Sequence, residues 1–392
     1  MRSVVRITRP SPAAVVAGAV LGTRLPVLLI GALAVLIVGT VPPPVAEALW
    51  RVSPHELTNL LARWDTAFYH SIATAGYRHD PAIFQHENIV FFPLYPMLMR
   101  WGGALLGGHP LLAGLLISLA AFTVALALLY RLAVLEVGEA HAGAVVLLLS
   151  TFPFALFYSA VYTESLFLCL TVGAFYAMRR GRLGWVVLCG LAAGLSRPNG
   201  LWLALPLLCL AASTPRPRIG GAGDGSRPVS RRLAALAACA PIAGMIIVSA
   251  YMQFRFGDAI LWVHGQAAWG APLLGRASAP DPIRLAGEPV VKLTEAIVYI
   301  GDIAAFLVAA AAIRPVTRRF GIAYGAWIAV NLVPPVVAHL FISLGRFTSV
   351  LFPVFFWLAI RIPRARLWQV AGAFAAVQAL FAAWFFLWQP VV

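Results

Sequence analysis

Charge is scarce in this chain: Asp, Glu, Lys and Arg make up 11% of 392 residues, where a soluble domain carries roughly a quarter. With 61% hydrophobic residues and apolar runs recurring from residue 25 to residue 388, that scarcity excludes an ordinary soluble enzyme. The expectation is one membrane domain over residues 1–392. Acid is scarcer still, 14 Asp and Glu against 29 Lys and Arg. Such a balance invites nucleic acid as a partner, but the basic residues lie in short clusters between apolar runs, as cytoplasmic loops of membrane proteins do. No nucleic-acid partner is expected. Only four cysteines occur, Cys169, Cys189, Cys209 and Cys239, each inside an apolar run and without paired spacing. They exclude a disulfide or zinc framework and read as small buried hydrophobes. Walker, GxGxxG, HExxH and GxSxG motifs are absent, and so is the internal repeat that marks many transporters.

What is present is a series of apolar segments near 24–41, 111–130, 141–159, 162–178, 183–196, 200–212, 233–252, 293–313, 322–341, 347–361 and 367–388. A crossing needs about 20 apolar residues, and several of these are short. Arginine clusters supply an independent check. They stand at Arg2/Arg6/Arg9, Arg131, Arg179/Arg180/Arg182, Arg216/Arg218/Arg227/Arg231/Arg232, Arg314/Arg318/Arg319 and Arg361/Arg364/Arg366. If all are cytoplasmic, eleven crossings follow, with the N-terminus in and the C-terminus out. The first is a retained helix: it is long for a signal segment, and Val41-Pro42-Pro43-Pro44 is a poor cleavage site. The tightest stretch is 183–212, broken at Ser196-Arg197-Pro198-Asn199-Gly200. Short broken helices of this kind are tolerated where protein encloses them. Residues 213–232, rich in Gly, Pro and Arg, read as a flexible basic cytoplasmic loop.

This topology sorts the acids. The outward segments hold Asp65, Asp80, Glu87, Glu164, Asp258, Asp281 and Glu288, while the inner side holds Glu136, Glu139 and Asp224. A scaffold has no need of that asymmetry; a catalytic face has.

The longest outer loop spans 42–110. Ser53-Pro54-His55-Glu56 is a capping box, so a helix is expected from Pro54 to a stop at Gly76, with Leu57, Leu60, Leu61, Trp64, Phe68 and Ile72 on one face. Too polar to span, it is expected to lie along the outer leaflet. Asp65 falls on the rim of the apolar stripe. It is either a solvated polar-face carboxylate or one poised at the depth of a lipid phosphate. Further on, His86-Glu87-Asn88 precedes Phe91-Phe92-Pro93-Leu94-Tyr95-Pro96, a rigid aromatic loop re-entering the membrane surface or else an interfacial aromatic belt.

Three more outer features stand out. Glu164 opens a crossing, where an ionisable group is functional unless a partner such as Arg197 or Arg346 makes it structural. Arg197, in a helix break, and Arg346, at an outer helix end, suit a phosphate; snorkelling to lipid is the plainer alternative. Asp258, His264 and Gln266 lie among Phe256, Trp262 and Trp269, a mixture of aromatic and polar groups that sugars favour.

Several blocks then coincide in order. Arg63-Trp64-Asp65 with Tyr69 and Gly76-Tyr77, the Phe91–Pro96 block, Thr163-Glu164-Ser165, Ser196-Arg197-Pro198-Asn199-Gly200, Gly257-Asp258 with His264 and Gln266, and Arg346 before Leu351-Phe352-Pro353 resemble the PIG-V family. That family comprises the GPI mannosyltransferases of the second mannose and their bacterial relatives. The chain departs from it at Leu94-Tyr95 between the prolines and at Pro198 in the arginine block. The resemblance implies an all-α polytopic membrane protein of the GT-C glycosyltransferase fold. It implies inverting transfer of a sugar, mannose above all, from a polyprenyl-phosphate donor to a lipid-linked or glycan acceptor outside the plasma membrane. Asp65 is the expected base, with Glu164 or Glu87 in reserve. Arg346 and Arg197 are expected at the phosphate. Trp64, Tyr69, His86, Asn199, Asp258, His264 and Gln266 are expected to line the substrate. No metal or other cofactor is expected. The rival reading is a secondary transporter or flippase of a polar solute, which predicts polar groups near the bilayer midplane.

Overall fold

The computed structural model describes residues 10–39, 56–80, 87–213, 230–266, 289–337, 343–389 and 391. The described residues are helical, with no strand among them, as an all-α membrane protein requires when its backbone groups must be satisfied within the segment. Most of the predicted loop 213–232, and Ser53, Pro54 and His55 of the capping box, lie outside the described residues.

The first helix, α1 (Pro12–Val38), begins twelve residues before the predicted segment at 24–41. Ser11 explains the difference: its Oγ accepts the Ala14 N–H at 3.2 Å, with Pro12 pre-set at the first helical position. Arg24 does not end the apolar run, because it is buried. Two short helices follow within the 42–110 segment, α2 (Glu56–Asn59) and α3 (Thr66–Ala75), then α4 (Leu94–Leu105). The single helix expected from 54 to 76 is therefore broken, and Trp64, at φ +52°, marks the break. Nor do Phe92 and Tyr95 form an interfacial belt. Both are buried, and the Tyr95 hydroxyl donates to Gly114 O at 2.9 Å.

The bundle continues with α5 (Pro110–Val137) and α6 (Glu139–Thr151). The predicted segment at 141–159 is bent: the chain turns by 80° into a 3₁₀ segment, Pro153–Ser159. Proline supplies no N–H to continue the ladder, so carbonyls at the turn need other donors. Arg24 donates to Ser150 O at 2.8 Å and to Ala155 O, while Gln378 donates to Phe152 O at 2.7 Å. The first and last helices thus staple the bend together.

Then come α7 (Glu164–Arg179), α8 (Leu183–Ser196), a 3₁₀ turn at Pro198–Leu203, and α9 (Ala204–Ser213). Beyond the 214–229 stretch lie α10 (Arg231–Ala238), α11 (Ala240–Phe256) and α12 (Leu261–His264). The chain closes with α13 (Pro289–Phe320), α14 (Ile322–Val337), α15 (Leu344–Ser349), α16 (Phe352–Arg361) and α17 (Leu367–Phe386). Helix α7 packs between α5 and α8, and α8 lies against α11. That last crossing is close because it is made of glycine: a Cβ on Gly194 would stand 2.2 Å from Pro241 O, and one on Gly244 would stand 2.4 Å from Leu191 O.

Helix occurs at every predicted segment, but not always at spanning length. Five described helices are long and apolar enough to cross a bilayer: Pro12–Val38, Pro110–Val137, Arg231–Phe256, Leu293–Phe320 and Arg364–Phe386. The others are short or bent, so the eleven-crossing count rests on arginine placement and not on helix length. Cys169, Cys189, Cys209 and Cys239 are free and half-buried, where full burial was expected. The protein is a multi-pass membrane protein.

Candidate active site

Four side chains from four distant parts of the sequence close on one another at one end of the bundle. The Arg346 Nη1 donates to Asp65 Oδ2 at 2.7 Å, and its Nε lies 3.3 Å from Glu164 Oε1. That same oxygen accepts Arg197 Nη1 at 2.6 Å. The chain Asp65–Arg346–Glu164–Arg197 carries two charges of each sign, and all four residues are largely withdrawn from solvent. Burying charge is tolerable only when it is paired in this way. Asp65 is thus no solvated polar-face carboxylate, and neither arginine is snorkelling.

Each member is placed by a break in regular structure. Asp65 precedes α3, just past the irregular Trp64, and its backbone N–H donates to the Tyr162 hydroxyl at 3.1 Å. Arg63 and Trp64 turn away from the cluster: Arg63 Nε donates to Phe386 O at 2.9 Å, and Trp64 Nε1 to Phe385 O at 3.4 Å. They satisfy carbonyls at the end of α17, where a cation also suits the helix dipole. Trp64, expected along the substrate, is committed to this scaffold and tilts against Trp388 at 5.5 Å. Burial lowers the Arg63 guanidinium to about 10, partly opposed by Glu56.

Glu164 is the first residue of α7, where the helix dipole favours an anion. Arg197 extends from the break after α8 and lies over the Phe167 and Phe347 rings at 5.7 and 5.3 Å. Arg346 lies over Phe157, Tyr162 and Phe347. Burial pulls the Arg346 guanidinium down, but Asp65 and Glu164 more than reverse this and hold it above its ordinary value. Tyr69 reaches the cluster's edge with its hydroxyl 3.2 Å from Thr163 Oγ1. Burial first, then the nearby Glu164, hold that phenol well above its usual range. One acceptor in the cluster is left over: Glu164 Oε2 is buried with no hydrogen-bond partner.

The remaining candidates form a second group. Glu87 pairs with His79 Nδ1 at 2.7 Å and accepts the Asp80 N–H at 2.7 Å. Asp258 holds His264 Nδ1 at 2.5 Å and caps the Ile260 N–H at 3.0 Å. The two pairs meet through an apolar floor of Ile89, Val90, Phe92 and Leu261, on which Phe92 and Trp262 stack edge to face at 5.5 Å. Gln266 lies half-buried at the end of this segment. Asn199 donates to Asn331 Oδ1 at 3.2 Å. His86 lies outside the described residues. Among the described residues, no three His, Cys, Asp or Glu side chains gather as a metal site.

Sequence reading overlooked one buried acid, Asp302 in α13, 4% exposed. A carboxylate inside the apolar segment 293–313 was the available signal.

The Arg197–Glu164 pair carries a stability test. Arg197→Ala leaves Glu164 with Arg346 alone, and should lower stability by about 3 kcal/mol, as breaking a buried pair does. Glu164→Gln with Arg197→Met should cost less than the two single changes together. Thermal melts in detergent decide: a fully stable Arg197→Ala would free Arg197 from any structural role.

Residues 39–212 match the family described as mannosyltransferase (PIG-V). This stretch holds Asp65, Glu164 and Arg197, while Arg346 lies beyond it. The GPI alpha-1,6-mannosyltransferase 2 of Rattus norvegicus is 36% identical over 156 residues, covering 36% of this chain and 30% of that protein. Its counterpart from Mus musculus is 34% identical over 155 residues, covering 36% of this chain and 29% of that protein. The match thus spans less than a third of either relative. An oligosaccharyltransferase of Archaeoglobus fulgidus superimposes with a TM-score of 0.45 at 14% identity, over 93% of this chain and 53% of that one. Over residues 39–212, then, the chain is similar to PIG-V mannosyltransferases, in the family match and in both relatives.

Proposed function

We propose that this protein is an inverting GT-C glycosyltransferase that moves mannose from a polyprenyl-phosphate donor to a lipid-linked or glycan acceptor on the outer face of the plasma membrane. The observation that carries the reading is Arg346 bridging Asp65 and Glu164 in a buried cluster. Inverting transfer needs one carboxylate to take the acceptor hydroxyl's proton as the oxygen attacks the anomeric carbon. It also needs fixed positive charge where the departing lipid phosphate gathers negative charge. Asp65 and Arg346 supply these roles side by side, with Arg197 behind them. Asp65 serves better as base than Glu164, whose side chain is 1% exposed against 12% for Asp65. Arginine takes the cationic role, so no metal is required by this mechanism.

The second group, with Asp258, His264 and Trp262, offers aromatic faces and hydrogen-bonding side chains to a sugar. We assign it to the acceptor. Purified protein given radiolabelled polyprenyl-phosphate mannose and membrane glycolipid should yield labelled glycolipid; no transfer to any glycolipid or glycan would overturn the reading. The face is tested separately. A cysteine replacing the exposed Asp80 should be labelled by an impermeant maleimide on intact cells, and one replacing the exposed Arg182 should not. Labelling of both from one side breaks the topology.

A further inference from the structure

Helix α15, which carries Arg346, has six residues and opens at Ser343 with φ +61°. A helix this short does not hold its own shape, since nucleation costs more than so few hydrogen bonds return. Its shape is fixed from outside. Asp302, buried within α13, accepts the Gly345 N–H at 2.7 Å. An orphan backbone donor in the first turn of α15 is thus held by a buried carboxyl group. Gly345 also packs closely on Phe154, where an added Cβ would stand 2.2 Å from the ring. The helix is held by a carboxylate and an aromatic ring, and Arg346 is the next residue.

A carboxylate in a membrane-crossing segment is costly and seldom idle. We propose that Asp302 is a positioning residue: it holds the start of α15 so that the Arg346 guanidinium lies between Asp65 and Glu164, where the donor phosphate meets it. This rests on the reading of Arg346 as the phosphate-binding cation. Asp302 touches neither substrate nor reacting atoms. It acts through the Gly345 backbone N–H.

The test compares Asp302→Leu, which removes the acceptor at similar size, with Asp302→Asn, which keeps an oxygen in place. Asp302→Leu should raise the donor KM and lower kcat, cutting kcat/KM roughly ten- to hundredfold as a small misplacement does, with acceptor KM unchanged. Asp302→Asn should recover most of this loss. Asp302→Leu combined with Arg346→Ala should be no slower than Arg346→Ala alone, since both act on one guanidinium. A second readout needs no sugar: phenylglyoxal modification of Arg346, mapped by mass spectrometry, should be slow in wild type and Asp302→Asn, and fast in Asp302→Leu. If the leucine variant does not fold, Asp302→Ser, whose shorter side chain withdraws the acceptor, takes its place. Wild-type donor kinetics and slow modification in the leucine variant would overturn the proposal, as would full additivity with Arg346→Ala. Should the wild type transfer nothing from the donor while the modification pattern holds, the function assigned above fails and the positioning role stands.

Discussion

Asp65→Asn should abolish sugar transfer, by the 10²–10⁴-fold typical of a lost general base, while donor binding holds or tightens. The two halves of that result come from one geometry. Asparagine keeps the shape that packs between Tyr162 and Arg346 but cannot take a proton from the acceptor hydroxyl. Meanwhile Arg346 loses the 2.7 Å contact with which Asp65 competes for it, and the donor phosphate meets a less occupied guanidinium. Glu164 still neutralises Arg346 through its 3.3 Å contact, so the variant should remain folded. Single-turnover transfer and equilibrium binding of polyprenyl-phosphate mannose separate the two effects. Wild-type turnover in Asp65→Asn would reduce Asp65 to a counter-ion for Arg346 and move the base to Glu164, whose free Oε2 would then be the acceptor.

Arg346→Ala should fail differently, with donor binding and turnover both falling. One fixed cation serves the phosphate in the ground state and again as it departs. The loss should reach 10²-fold or more, about the effect of removing one oxyanion donor. Arg346→Lys should recover only part. A lysine ammonium is a single point and cannot bridge Asp65 and Glu164 as the planar guanidinium does. Removing Arg346 also leaves Asp65 buried without its cation, so melting temperature must be followed alongside rate. A folded Arg346→Ala with undiminished donor affinity would place the phosphate elsewhere, with Arg197 the next cation to examine.

The sequence disclosed the residue types of this cluster more readily than their connections. Asp65, Glu164, Arg197 and Arg346 each stood out because charge is rare in an apolar chain and expensive to bury. Their joining was not legible, because contacts across 281, 182 and 33 positions follow from helix packing and not from local pattern. Glu164 was seen to need an arginine; that it shares one oxygen with two of them was not. The outer helix was expected to run unbroken from 54 to 76, because its apolar spacing survives the irregular turn at Trp64. Tertiary demand won there: Arg63 and Trp64 are drawn to carbonyls ending α17, and the backbone bends to let them reach. The bend at Pro153 was likewise hidden inside a hydrophobic run, although proline was its visible cause. Asp302 escaped notice because its partner is a backbone N–H, that of Gly345, which leaves no mark on a sequence.

The staple at Arg24 bears on how the protein enters its membrane. A guanidinium near the middle of a 27-residue helix costs an emerging segment about 2.5–3.5 kcal/mol when it partitions from the translocon into bare lipid. Beyond the neighbouring Thr23 hydroxyl, the acceptors that relieve that cost are synthesised much later: carbonyls at the Ser150–Ala155 bend, and Gln378 in α17. The first helix is therefore a provisional resident until the C-terminal helix arrives and closes the ring. A nascent chain stalled before α17 would hold a first helix whose arginine still lacks Gln378 as an acceptor.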